Sequence, residues 1–274
     1  MACVDYGEKN ARYYDHAKCR GWPRAAPRYA PIGGVFGGDT GYDTRPQGNT
    51  VPCASKRASD DYDNGHHSAI YFPGQQVVMA HPMKNHGIGS CTNKYIPDNG
   101  NWIYYVDQTE VGEQDPKLFK FKEQKLVDLG ISPFGHQVPN DQVEAYPKPG
   151  FQNAPAFCED TDKALGKWYS LFSWFKSHLG TYSFNVPNDM EPGKYTFAWL
   201  WAFNGQQDYY STCFDVEVVA DAGARQQKMS ARGQNDFSMP CDSSPTSTGE
   251  AGSLIGCDQS GSNGGNQGDN DNNG

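Results

Sequence analysis

The chain lacks three features that would assign it to common classes of protein. No apolar stretch of about 18 residues or more occurs, so no membrane-spanning helix is expected. Acidic residues outnumber basic ones and the formal net charge is -9. Binding nucleic acid requires a basic surface, so nucleic acid is excluded as an expected partner. No pair of cysteines has the Cys-x-x-Cys spacing of zinc and thioredoxin-type sites.

The cysteines that are present predict a disulfide framework. Eight of them are dispersed through a chain rich in Gly, Pro and Tyr, which is typical of a secreted, extracellular protein. The beginning, MACVDYGEKN, shows neither the basic nor the apolar part of a signal peptide, and we interpret it as a processed mature chain. The pairing cannot be deduced from the sequence, although Cys241 and Cys257 are expected to pair because both lie outside the patterned region.

The patterned region predicts short strands. Residues 1–64 show little periodicity and are interpreted as long loops held by disulfides. HSAIYFPGQQVVMAHP predicts two strands around a Pro-Gly turn, NWIYYVDQ (101–108) predicts another, and residues 118–129 alternate like a hairpin. In residues 160–179 apolar side chains recur at three- and four-residue steps, which predicts a helix.

The clearest β pattern lies near the C-terminus. TYSFNVP, KYTFAWLWAFNG and YYSTCFDVEVV alternate well and are rich in aromatic and β-branched residues, with Trp199 and Trp201 expected in the core. We therefore predict an all-β fold, a β-sandwich with long disulfide-held loops and a short helix, over residues 1–221. Residues 222–274 contain a single aromatic, Phe237, and are predicted to be a low-complexity, disordered tail.

Two histidines lie in one short segment between predicted strands. AHPMKNHGIGSC contains His81 and His86, followed by small residues that would leave an imidazole accessible to a metal ion. By itself this is weak evidence, because histidines in loops are commonly only solvated.

The segment NHGIGSC nevertheless resembles the loop that carries the second copper histidine in lytic polysaccharide monooxygenases. The block FNVPNDMEPGKYTFAWLWAFNGQQDYYSTCFDVEV is similar to their strand pair with Gly-x-Tyr-x-x-x-Trp-x-Trp and their strand with Tyr-x-x-Cys-x-x-Val. Together the two cover about residues 67–219 and occur in the family's order. Within this superfamily, the chain looks most like the pectin-active family of plant pathogens (oomycete type).

The resemblance implies an immunoglobulin-like or fibronectin-like β-sandwich that binds one copper ion through a histidine brace. The brace combines the α-amino group and ring of an N-terminal histidine with a second histidine, here His86. Tyr210 corresponds to the axial tyrosine, and Asp208, on the same strand face, to the residue that positions the oxygen species. Tyr209 with Gln207 is the alternative register.

The chain departs from the family at its first residue, which is Met1. A methionine offers an amine and a thioether but no imidazole. Three explanations compete for the missing histidine. The mature chain begins one residue earlier with His, an expression sequence replaced the histidine, or the protein is a relative without the brace. We favour the first as a hypothesis, because Cys3 and the absent signal peptide both fit a chain cut at its processing site.

The function implied is the oxidative cleavage of a plant cell-wall polysaccharide by a monomer that uses copper, an external electron donor and O2 or H2O2. Homogalacturonan is the expected substrate, with cellulose and chitin as alternatives. His81, Lys84 and Lys94 are candidate substrate-binding residues, since lysines could pair with galacturonate carboxylates. The alternative functions are a non-catalytic copper- or carbohydrate-binding sandwich and a structural cell-wall protein.

Overall fold

A computed structural model describes the chain in several stretches. These are residue 1 and residues 3–8, 15–24, 50–53, 62, 66–82, 99–130, 151–152, 179–202 and 209–236. Within these stretches no helix is long and apolar enough to cross a membrane.

Strands dominate the described residues. The ten strands are β1 (Asp5–Tyr6), β2 (Cys19–Gly21), β3 (Ala69–Tyr71), β4 (Gln76–Pro82), β5 (Gly100–Asp107), β6 (Lys125–Gly130), β7 (Phe151–Gln152), β8 (Leu179–Asn185), β9 (Gly193–Ala202) and β10 (Tyr209–Val218). The helices are α1 (Gln108–Val111), α2 (Leu118–Phe121) and α3 (Ala222–Ala231), and a 3-10 turn spans His16–Lys18.

Two sheets share one core. The larger sheet has the order β3-β10-β9-β5-β6, and the smaller has the order β4-β8-β7. Their facing side chains form a single buried cluster that includes Val77 and Phe184 from the smaller sheet and Phe197 and Phe214 from the larger. This arrangement is consistent with the predicted β-sandwich; the immunoglobulin-like subtype stays a prediction.

The alternation of side chains along β9 and β10 determines which residues enter the shared core. On β9 the odd-numbered residues from Tyr195 to Trp201 enter the shared core, and on β10 the even-numbered residues do so. We call this the inner face of the larger sheet. Trp199 and Trp201 are 2% and 5% exposed, so their predicted place in the core is confirmed.

The opposite, outer face of the larger sheet is also covered. Leu118 and Phe121 of α2 pack there against Tyr104 and Leu200. The disulfide Cys53–Cys213 fastens residues 50–53 to β10. A covered outer face explains why both faces of β9 are apolar, whereas a sheet with one solvated face would alternate apolar and polar residues.

Most of the predicted strands are confirmed, and two predictions need correction. The strands around Pro73-Gly74, the strand near 101–108 and the three C-terminal strands all form. The predicted hairpin at 118–129 is wrong: its first part is the helical turn α2, because Leu118 and Phe121 bury the same side of one turn, and only residues 125–130 form a strand. Residues 160–178 of the predicted helix lie outside the described residues, and Leu179 begins β8.

The second correction concerns the tail. Residues 222–236 pack against the sandwich instead of being disordered, with α3 burying Arg225 and Met229. The fully buried Arg225 forms ion pairs with Asp5 at 2.9 Å and Asp236 at 3.0 Å. Composition missed this because α3 buries one cation and one large apolar side chain, Met229, instead of the row of apolar residues typical of an amphipathic helix. Residues 237–274, with Cys241 and Cys257, lie outside the described residues.

Arg225 should be essential for stability. Burial raises the pKa of Asp5, and Arg225 opposes that rise, so removing the cation leaves a buried carboxylate without its main compensating charge. We expect Arg225→Met to lower the free energy of unfolding by about 3–5 kcal/mol, measured by chemical denaturation. Lys228→Met, on the exposed side of the same helix, should change it by less than about 0.5 kcal/mol. Equal effects of the two substitutions would contradict the assignment.

Candidate functional site

One end of the sandwich gathers the ends of four long strands. β9 ends there at Ala202 and β10 begins at Tyr209, while β5 begins opposite Ala202 at Gly100. β3 runs parallel to β10 and therefore away from this end, so β4, which follows the Pro73-Gly74 turn, runs back towards it. We call it the site end.

The described residues on either side of two further segments lie at the site end. Segment 83–98, which contains Lys84, His86 and Lys94, follows Pro82 at the end of β4 and precedes Asn99, whose N–H donates to the carbonyl of Ala202 at 2.7 Å. Segment 203–208, which contains Gln207 and Asp208, joins Ala202 to Tyr209. Both segments lie outside the described residues, but their described flanks share this one end.

The N-terminal segment approaches the same end along β4. Cys3 and Ala80 exchange two backbone hydrogen bonds, of 3.3 and 2.9 Å, in an antiparallel bridge. The disulfide Cys3–Cys19 and the hydroxyl of Tyr71, which donates to the carbonyl of Val4, hold the segment from its other sides. Because the bridge is antiparallel, the chain from Cys3 to Met1 runs in the direction of Pro82 and the site end.

The α-amino nitrogen of Met1 lies against the inner face of β10. It donates to Oγ1 of Thr212 at 3.3 Å, and the side chain of Met1 is fully buried in the shared core. Burial lowers the pKa of this amino group from 8.0 to about 5, so a free amine at this place is mainly neutral at pH 7.

Tyr210 lies on the same face, two residues nearer the site end than Thr212. Its side chain is partly buried against the core, and its ring centroid is 5.6 Å from that of Trp201. Same-face residues on a strand are about 6.8 Å apart, so Tyr210 lies roughly that far along β10 from the residue that accepts from the Met1 nitrogen.

Tyr209 lies on the opposite, outer face. It is 5% exposed, and its hydroxyl accepts a hydrogen bond of 2.6 Å from Nζ of Lys122. The same ammonium lies 4.2 Å from the ring centroid of Tyr209. The sequence left two registers open, Tyr210 with Asp208 and Tyr209 with Gln207. Of the two tyrosines, Tyr210 is the one that lies on the same face of the sheet as the Met1 nitrogen.

Of the candidate substrate-binding residues, only His81 reaches the described part of the chain. Its backbone belongs to β4, opposite Gly180, one residue before the site end of the strand. His86, Lys84, Lys94, Gln207 and Asp208 lie outside the described residues, so their predicted roles stay predictions. In the stretches that are described, no group of three or more His, Cys, Asp and Glu residues could hold a metal ion.

Sequence reasoning missed Thr212 and Lys122. Thr212 could have been found from alternation, since it follows Tyr210 by two residues on the same strand face. Lys122 could not, because its contact with Tyr209 joins residues 87 positions apart across the outer face.

Comparison with known proteins leaves the family open. No family model matches the chain. No curated protein matches it. Among solved structures, a chitin binding domain from Burkholderia pseudomallei is similar with a TM-score of 0.33 and 9% sequence identity, covering 79% of this chain and 98% of that chain. A likeness at that TM-score supports no argument about fold type or ligand.

Proposed function

We propose that the protein is a secreted, copper-dependent monooxygenase of the lytic polysaccharide type that cleaves a plant cell-wall polysaccharide. The main support is the geometry of the site end. The first backbone nitrogen, Tyr210 and the described flanks of the segment with His86 all come from distant parts of the chain to this one place.

The described donors fit copper in part. A neutral amine is a good ligand for Cu(II), and burial keeps the Met1 amine neutral at pH 7. The side chain of Met1, however, lies in the core and offers no imidazole at the site end. A complete brace therefore requires a histidine joined to Met1.

A chain with a histidine joined to Met1 would not bury this charge. A buried ammonium is costly, which is why the pKa of the amino group falls, whereas an amide N–H that donates to Thr212 carries no charge. With a histidine before it, Met1 would be an ordinary buried core residue, and the free amine and imidazole would lie one residue nearer the site end.

In this proposal the protein's own residues position the groups that bind copper. Thr212, which accepts from the Met1 nitrogen, would hold the first peptide, and Tyr210, packed on Trp201, would lie beside the residues that hold the ion. The added histidine and His86 would hold the ion. Bound copper would supply the one-electron chemistry by which O2 or H2O2 oxidises a sugar C–H bond.

The alternative is a non-catalytic carbohydrate- or copper-binding sandwich. One observation favours it: with Met1 as the first residue, the position that the brace requires holds a thioether buried in the core. Such a chain would bind copper weakly through its amine and would oxidise nothing.

Copper titration separates the two functions. We expect the chain with a histidine joined to Met1 to bind one copper ion. His86→Ala should raise the Kd of that chain for copper by at least about 100-fold. Loss of a residue that only hydrogen-bonds to a metal ligand weakens metal binding by roughly 10–100-fold, and loss of a direct ligand should weaken it more. Isothermal calorimetry measures the Kd. His16→Gln, beside Trp22 and His66, is the matched control and should have no effect. Equal, weak binding by all four chains, including the one that begins at Met1, would support the alternative.

Product analysis tests the reaction itself. The copper-loaded chain with the added histidine, given ascorbate and H2O2, should release oxidised oligosaccharides from de-esterified pectin, detected by mass spectrometry. Cellulose and chitin serve as comparison substrates. The absence of oxidised products from all three, despite tight copper binding, would refute the monooxygenase proposal.

The buried amine predicts a pH dependence of stability. The unfolded chain binds a proton at this amine near pH 8, and the folded chain only near pH 5, so the unfolded state holds more protons between these values. The contribution of the neutral amine is complete above pH 8 and is lost as the pH falls towards 5. We expect a chain that begins at Met1 to show this loss, in denaturation measured at several pH values, and a chain with one preceding residue to lack it. Identical pH profiles would contradict the burial of the amine.

A further inference from the structure

The two disulfides in the described part of the chain differ in how far solvent reaches them. Cys3 and Cys19 are 0% and 1% exposed. Cys213 is 5% exposed, whereas its partner Cys53 is partly exposed. Thiol–disulfide exchange requires a thiolate to approach a sulfur atom, so access decides which disulfide reacts while the protein stays folded.

The Cys3–Cys19 disulfide is enclosed by the folded core. Cys3 lies between Met1 and Val4, which are both fully buried in the shared core. Its backbone is bridged to that of Ala80 on β4. Cys19 belongs to β2, whose three residues are all buried. A reductant therefore reaches this disulfide when the N-terminal segment leaves the core, which requires opening a large part of the sandwich.

The Cys53–Cys213 disulfide lies at the surface. Residues 50–53, which we call the outer segment, lie over the outer face of β10, where Cys53 packs against the outer-face cluster that includes Cys213. Thr50 and Val51 are exposed, Val51 by 42%. A short segment with half of its residues in solvent opens locally at a low cost in free energy, because little buried apolar surface is lost.

The outer segment connects this disulfide to α2. Oγ of Ser211 on β10 donates to the carbonyl of Pro52 at 2.6 Å. The N–H of Leu118, the first residue of α2, donates to the carbonyl of Thr50 at 2.8 Å. The disulfide therefore links β10 covalently to the segment that accepts a hydrogen bond from the start of α2.

We propose that Cys53–Cys213 is a thiol-exchange site, at which a small thiol releases the outer segment while Cys3–Cys19 stays closed. A thiolate attacks Sγ of Cys53, the S–S bond breaks, and the sulfur of Cys213 leaves with the bonding electron pair and takes a proton. A second thiolate then attacks the external sulfur of the mixed disulfide, and Cys53 leaves as a thiol. Two external thiols are oxidised to one disulfide, and the protein disulfide is reduced to two thiols.

Opening this disulfide should loosen the outer face and leave the inner face unchanged. The outer segment loses its covalent link to β10, so the carbonyl that accepts from Leu118 is no longer held by that link. The Met1 nitrogen lies on the opposite face of β10, against Thr212, and the N-terminal segment stays tied by its own disulfide. The exchange needs neither copper nor a histidine before Met1, so it is independent of the proposed function.

The test is reduction of the full chain in its folded state. The protein is incubated with dithiothreitol without denaturant and alkylated at intervals with iodoacetamide, and mass spectrometry follows each cysteine on its own peptide. Cys53 and Cys213 should become alkylated at least about tenfold faster than Cys3 and Cys19, because local opening is more frequent than opening of the core. Equal rates for the two pairs, or reduction of neither pair without denaturant, would overturn the proposal.

A charge added beside Cys53 shows whether the attack occurs on the folded protein. Val51→Lys places an ammonium group two residues away, so at low salt it should speed reduction by anionic mercaptoethanesulfonate about two- to fivefold more than reduction by uncharged mercaptoethanol. Gln227→Lys adds the same charge on the exposed side of α3 and is the matched control, which should leave the ratio of the two rates unchanged. A ratio that Val51→Lys also leaves unchanged would mean that exchange requires unfolding, and the site would be wrong.

Hydrogen exchange tests the consequence in the double variant Cys53→Ser, Cys213→Ser. Peptides from α2 should exchange faster than in the unmodified chain, whereas peptides from β1 and β4 should not change. The midpoint of thermal unfolding should fall by about 5–15 °C, as expected for the loss of a disulfide that closes a long loop. Equal protection of α2 in both chains would overturn the link between this disulfide and the outer face. If the variant does not fold, the reduction rates of the unmodified chain decide the proposal.

Discussion

The placement of the first backbone nitrogen is the constraint on which the candidate site depends. The disulfide to Cys19, the two-way bridge between Cys3 and Ala80 and the burial of the Met1 side chain fix the N-terminal segment on several sides. The hydrogen bond to Thr212 then sets where the segment meets β10. Residues at the start of a chain are ordinarily frayed unless tied down, so these contacts give the Met1 nitrogen a fixed position beside Thr212.

The C-terminal helix contributes to the same constraint. Arg225 of α3 joins Asp5 of β1 to Asp236 and donates to the carbonyl of Ile70 in β3. Asp5 lies two residues after Cys3, so the two ends of the described chain are linked through one buried cation. The part of the tail that composition assigned to disorder thereby supports the segment that leads to the site.

The sequence predicted the strands well and the connections poorly. β9 and β10 alternate so regularly that their faces follow from residue numbers alone, and the place of Trp199 and Trp201 in the core follows with them. α2 and α3 were missed because each depends on contacts from elsewhere: the outer-face cluster for Leu118 and Phe121, and Asp5 for Arg225. The pairing of Cys3 with Cys19 and of Cys53 with Cys213 likewise required coordinates, since spacing permits several pairings.

For the site, the sequence predicted Tyr210 and the strand face on which it lies. The structure adds which residues contact that face. Tyr209 and Tyr210 are adjacent in sequence yet lie on opposite sides of the sheet, one held by Lys122 and the other packed on Trp201. The two sides have different chemistry: the inner face meets the N-terminal nitrogen, and the outer face carries the cation of Lys122. Because side chains alternate along β10, a metal ion held beside the N-terminal nitrogen would face Tyr210 and would be separated from Tyr209 by the sheet itself.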